Sequence, residues 1–150
     1  MRTASFTFSQ LTPTAFLERS ARVFPERTAV IDGDRRLTYA QFADRSRRLA
    51  GGLAARGIAS GDRAAALCTN SSTVLELHNG VPWAGAVLVP LNIRLAAEEL
   101  GYILEHSGAA LLVADEQFAA TATEVAATAG IPVVVGDRGG RRVRAAAGRE

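Results

Sequence analysis

Few side chains in this 150-residue chain could do chemistry. There is one cysteine, Cys68, there are two histidines, His78 and His106, and all seventeen basic residues are arginine, with no lysine. Lysine's absence removes Schiff-base chemistry and the lysine of a phosphate-binding loop. The histidines fall on separate helical stretches, so a shared metal site is not expected. His106, near a helix C-terminus, suits a contact with the negative end of the dipole, and His78 suits packing, with a pocket or subunit contact as the alternative. Cys68 ends an apolar strand, where α/β sheets hold ligands, but an inert buried thiol is the expected reading. Arg94 follows a strand on a loop and could meet an anion or a partner, with a solvated arginine as the default. No Gly-x-Ser-x-Gly elbow, Gly-x-Gly-x-x-Gly fingerprint or metal-ligand cluster is present. The residues therefore nominate no catalytic, cofactor-binding or metal-binding position.

Charge and composition narrow the classes further. Residues 136–150 carry five arginines against Asp137 and Glu150, whereas the first 135 residues hold twelve arginines against thirteen acids. The basic end lacks interleaved aromatics and any nucleic-acid-binding pattern, so a solvated, disordered tail over 136–150 is expected, with no nucleic acid as partner. No apolar run approaches the roughly 20 residues of a membrane span, and no signal core follows Met1. A single cysteine cannot form an internal disulfide, which points to a cytoplasmic setting.

The elements that must position these residues follow from periodicity. Thr12 and Pro13 read as N-cap and first helical residue, with Leu11 stapling to Phe16 and a face made by Phe16, Ser20, Val23 and Phe24. Thr28–Ile31 and Arg35–Thr38 flank the turn Asp32-Gly33-Asp34 as a hairpin. Thr38 and Gln41 form a capping box ahead of a helix whose face is Phe42, Ser46, Leu49, Ala50 and Leu53, ending at Gly57. Gly51 and Gly52 inside it suggest close approach of a neighbouring element. Four short apolar strands follow, at residues 63–68, 86–89, 110–114 and 131–135, separated by helical stretches near 73–84, 96–106 and 116–129. Pro82 is expected to kink the first of these helices, and Pro132 to limit its strand to a sheet edge or to stand at a strand beginning. Alternation of this kind makes the fold α/β: a mostly parallel sheet with flanking helices, preceded by a helix and a short β-hairpin. Val87-Leu88-Val89 reads as a strand buried on both faces. One domain over 1–135 is expected.

Five blocks in fixed order carry a resemblance. Leu37-Thr38-Tyr39-Ala40-Gln41-Phe42, Gly61-Asp62-Arg63, Gly85 to Leu95, Glu98-Glu99-Leu100 and Ile103 to Gly108 resemble the N-terminal region of AMP-forming acyl-CoA synthetases, the AMP-dependent synthetase/ligase superfamily. It extends from about Leu11 to Val135. The resemblance implies a ligase that uses ATP and magnesium to make an acyl-adenylate from a carboxylic or fatty acid, releases pyrophosphate, and passes the acyl group to CoA. It also implies chains several times longer, whose phosphate loop and catalytic lysine lie beyond these residues. The expectation is an incomplete ligase subdomain, binding no cofactor and inactive alone. A frameshift or premature stop is one expected source of the abrupt change after Asp137. A sheet edge that later strands would pair is expected to be exposed, favouring poor solubility or self-association as a homo-oligomer. The alternative is a non-catalytic binding or regulatory module derived from the same fold.

Overall fold

The computed structural model describes residues 11–136 and the backbone of Val143–Ala145. Helix α1 (Pro13–Val23) precedes the antiparallel hairpin β1 (Thr28–Asp32) and β2 (Arg35–Thr38), and helix α2 (Tyr39–Ala54) leads out of it. Next come β3 (Arg63–Leu67), α3 (Ser72–Trp83), β4 (Val87–Pro90), α4 (Ala97–Ser107), β5 (Ala109–Asp115), a 3-10 turn at Glu116–Phe118, α5 (Ala119–Ala129) and β6 (Val133–Gly136). A three-residue strand, β7 (Val143–Ala145), closes the described order. The main sheet runs β4-β3-β5-β6-β7, parallel throughout except for the β6/β7 pair. The expected α/β class, the leading helix and the hairpin are all present.

Local chemistry explains the boundaries. The Ala15 N–H donates to Thr12 Oγ1 at 3.2 Å, which starts α1. Thr38 Oγ1 accepts from the Gln41 N–H while Gln41 Oε1 accepts from the Thr38 N–H, completing the capping box of α2. Arg63 closes α4 from outside: its guanidinium donates to the carbonyls of Ser107 and Gly108, both at 2.6 Å. A cation against free carbonyls at the negative end of a helix is favourable. Gly108 has φ +61° there, a backbone conformation that favours glycine, and a Cβ on it would push the Arg63 guanidinium aside.

Two apolar layers sandwich the sheet. On one face α4 and α5 bring Leu100, Leu104, Ala122 and Val125 against Leu67, Leu112 and Val133. On the other, α2 and α3 bring Leu53, Leu77 and Val81 against Ala64, Ala66 and Leu111. A third, smaller core holds Leu17, Val30, Leu37, Phe42 and Ala43 between α1, the hairpin and α2.

The structure corrects several sequence expectations. Strand β4 is an edge strand, and Val87 is 52% exposed, so that run is not buried on both faces. Its shortness and apolarity suited a central strand, but β5 pairs on the far side of β3 and leaves β4 outermost. Gly51 has nothing within 4 Å of a Cβ position, and Gly52 only the Arg56 side chain. The close approach occurs instead at Gly80, where a Cβ would meet Leu49 Cδ2 at 2.6 Å and the Ser46 carbonyl at 2.9 Å. The crossing of α2 and α3 therefore selects glycine on α3. On α1 the buried residue is Leu17, with Ala21 packed beside it; Leu11 and Phe16 are both exposed and form no buried staple. Val143–Ala145 is strand where a disordered tail was expected, since β6 offers it a free antiparallel edge. The rest of 137–150 lies outside the described residues.

Candidate functional site

In an open parallel sheet, ligands collect at the carboxyl ends of the strands where the strand order reverses. Here that point lies between β3 and β5, because the chain leaves β3 towards β4 and returns beyond β3 to form β5. Cys68, Thr69 and Asp115 stand there, with Ser71 and Thr73 at the start of α3.

Asp115 organises this end of the sheet. It is 1% exposed, and its Oδ2 accepts from the Thr69 N–H (2.8 Å) and the Thr69 hydroxyl (2.7 Å). Oδ1 has no N–H or O–H partner among the described residues, and Ser71 Oγ and Thr73 Oγ1 are likewise buried without one. Burial first, and then the neighbouring Asp115 carboxylate, push the Cys68 thiol up to about 12. At neutral pH this sulfur keeps its proton, so the structure supports the inert reading of Cys68 over a nucleophile.

A second polar cluster ties the hairpin to α3. The Ser72 N–H donates to Asp32 Oδ2 at 2.8 Å, and Arg35 Nη1 donates to Ser72 Oγ at 3.0 Å. Glu76, 7% exposed, accepts two hydrogen bonds from Arg45, from Nε at 2.5 Å and Nη2 at 3.0 Å, and Arg35 Nη2 lies 3.8 Å away. A fork-to-carboxylate pair of this geometry is both strong and orienting.

These residues do not fit a nucleotide triphosphate or magnesium. The backbone donors that could cradle a phosphate, at Thr69 and Ser72, are already bonded to carboxylates. A phosphate there would have to displace the Asp32 and Asp115 carboxylates from these donors. No group of three or more His, Cys, Asp or Glu side chains gathers among the described residues.

The remaining candidates are dispersed. His78 is exposed rather than packed, with Nδ1 2.8 Å from the Val74 carbonyl of its own helix. His106 lies in the last turn of α4, as expected, and stacks on Tyr102 with ring centroids 5.5 Å apart. Arg94 is exposed in the turn after β4, where its N–H donates to Asn92 Oδ1 at 3.0 Å. Sequence reasoning passed over Asp115, Thr69, Arg45 and Glu76. For Asp115 a signal existed, a carboxylate closing the apolar run Ala109–Ala114. For Arg45 and Glu76, 31 residues apart on different helices, there was none.

Comparisons with known proteins agree on one lineage. The family model described as AMP-binding enzyme matches residues 17–147. The chain is 41% identical over 118 residues to 4-hydroxybutyrate–CoA ligase 2 of Metallosphaera sedula, covering 79% of this chain and 22% of that protein. It is 43% identical over 111 residues to the peroxisomal acetate/butyrate–CoA ligase AAE7 of Arabidopsis thaliana, covering 74% of this chain and 20% of that one. A crystal structure of a benzoate CoA ligase from Burkholderia xenovorans superposes with a TM-score of 0.77 at 27% identity, over 81% of this chain and 25% of that one. The chain spans about a fifth of the length of the curated relatives it matches.

Proposed function

The chain belongs to the AMP-binding enzyme family, and from that premise we propose that it is the N-terminal segment of an ATP-dependent acyl-CoA ligase. The observation that carries this reading is the match of the family model across residues 17–147, alongside relatives that are CoA ligases of whose length the matched segment makes about a fifth. The whole enzyme would join a carboxylic or fatty acid to CoA through an acyl-adenylate. ATP, magnesium, CoA and the acid would be held by the rest of the ligase, since the described residues offer no phosphate cradle and no cation site. The role of this segment is architectural: a two-faced sheet on which the catalytic parts are built. A place in cytoplasmic fatty-acid metabolism fits the single cysteine, although some relatives are peroxisomal. Among the described residues, no helix is long and apolar enough to cross a membrane.

The test uses two preparations. The purified chain, mixed with ATP, magnesium, CoA and short- to long-chain acids, is expected to release no pyrophosphate. A chimera in which it replaces the matching segment of the Metallosphaera ligase is expected to form acyl-CoA. Turnover by the chain alone, or a folded chimera without activity, would refute the reading.

A further inference from the structure

Charge in this chain is split across the main sheet. Residues 11–94, which form α1, the hairpin, α2, β3, α3 and β4, hold eleven arginines against seven acids. Residues 95–136, which form α4, β5, α5 and β6, hold six acids and no arginine. Asp115 is buried, and the other five of these acids are exposed. Because α1 packs on α2 and α3 while α4 and α5 cover the opposite side of the sheet, the basic and acidic sides point away from each other.

On the acidic side, α4 presents one aromatic ring between two carboxylates. Leu100 and Leu104 turn this helix into the core, which leaves Tyr102, 65% exposed, on the outside. Glu98, four residues before it, and Glu105, three after it, are its exposed neighbours on the helix surface. On the basic side, α1 presents one cation between two apolar side chains. Leu17 and Ala21 turn α1 into its core, and the outward stripe is Phe16, Arg19 and Val23, all exposed. Among the described residues, the side chains of Arg19, Glu98 and Glu105 make no ion pair.

A guanidinium can lie on an aromatic face while its N–H groups reach carboxylates, and Tyr and Arg are the side chains on which protein contacts most depend. Arg19 with its apolar neighbours thus complements Tyr102 with its two acids. We infer that copies of this chain associate head to tail, the α1 face of one docking on the α4 face of the next. One chain cannot close the pair on itself, because the two faces lie on opposite sides of the sheet, so the contact repeats into a ring or an open chain of copies. Nothing from the rest of a ligase is needed for it.

Sedimentation of the full chain over a range of concentrations tests this. At about 50 mM salt the average mass is expected to rise past that of a dimer, and at about 0.5 M salt to return to that of the monomer, because exposed charges are screened. Arg19→Glu and Glu105→Arg are each expected to weaken association at least tenfold without moving the melting temperature measured at high salt, and the two changes in one chain to restore it. Arg19→Ala mixed with Tyr102→Ala, each monomeric alone, is expected to give dimers that grow no further, since each copy keeps one working face. A monomer at every concentration, a dimer of the unaltered chain that stops growing, or a double charge swap that fails to restore association would overturn the assignment. Association that ignores both salt and these variants would also overturn it and move the contact to apolar surface or the β4 edge. The ligase reading stands or falls separately, on pyrophosphate release and the chimera.

Discussion

The parallel block, residues 63–136, and the amino-terminal block, residues 11–54, solve burial differently. In the first, three consecutive alanines and Leu67 on β3 are at most 2% exposed, and Leu111, Leu112 and Ala114 on β5 at most 1%, because helices press on both faces. In the second, five residues make the core, while Phe16, Val23, Phe24 and Ile31 stay 42–65% exposed. A two-stranded hairpin with one small cluster is marginal by itself. Its attachment to the parallel block is apolar, through Leu53 of α2 in one layer with Leu77, Val81 and Leu111, and also polar, through Asp32, Arg35 and Arg45 onto Ser72 and Glu76. The parallel block thus carries the larger core, with α2 completing one of its layers, and the amino-terminal block takes much of its order from α3.

The sharpest way to break that contrast is to damage the half with the larger core. Leu112 is fully buried in the layer between β5 and the helices α4 and α5. Leu112→Ala removes three carbons from a site held rigid on both sides and is expected to destabilise the chain by about 3 kcal/mol. Chemical denaturation should show one transition at lower midpoint, with both blocks lost together. Survival of the parallel block would contradict the assignment.

Next in size is the joint. Glu76→Ala leaves Arg45, 27% exposed at its side chain, facing a gap, and is expected to cost about 2 kcal/mol after allowing for solvent at the arginine. Hydrogen exchange distinguishes this effect from general loss: amides of β1 and β2 should lose protection before those of β3 and β5. Equal loss in both blocks would show that the joint is not where the halves separate.

The same division governs how much was legible in the sequence. Strands β3, β5 and β6 were readable to within a residue or two because short apolar runs between helical periods have few other uses. Edge position was not readable: Val87-Leu88-Val89 looks like Leu111-Leu112-Val113, and only strand order separates them. On α1 the periodicity favours the side of Phe16, Ser20, Val23 and Phe24, yet Phe16, Val23 and Phe24 are exposed and Leu17, with Ala21 beside it, joins the core that holds Ala43 of α2. For the candidate site, the carboxylates filling the β3–α3 donors were not legible, because Asp32 pairs with Ser72 and Asp115 with Thr69 across 40 and 46 residues of sequence.

A smaller effect tests the buried end of the parallel block. The raised Cys68 pKa means that the folded chain holds a proton the unfolded chain releases near its ordinary value of 9.0. Stability from this group is full below that value and is lost as pH rises towards about 12. Between pH 9 and 10 the expected loss is about 1 kcal/mol, absent in Cys68→Ala. Iodoacetamide at pH 8 should alkylate the native thiol at least about tenfold more slowly than the unfolded one. Equal rates would mean that the thiol is neither buried nor held beside a carboxylate.

The smallest expected effect belongs to the exposed stripe of α1. Phe16 and Val23 lie two turns apart on one side of that helix, 57% and 50% exposed, so neither makes the burial that usually gives an aromatic or branched residue its stabilising role. Phe16→Ser is therefore expected to change the stability of the isolated chain by no more than about 0.5 kcal/mol, whereas Leu17→Ala, one residue on, should cost several times that. Paired denaturation curves of the two variants read the helix's orientation directly. A large loss for Phe16→Ser with a small one for Leu17→Ala would turn α1 over, and the amino-terminal block would then owe its order to its own apolar contacts more than to α3.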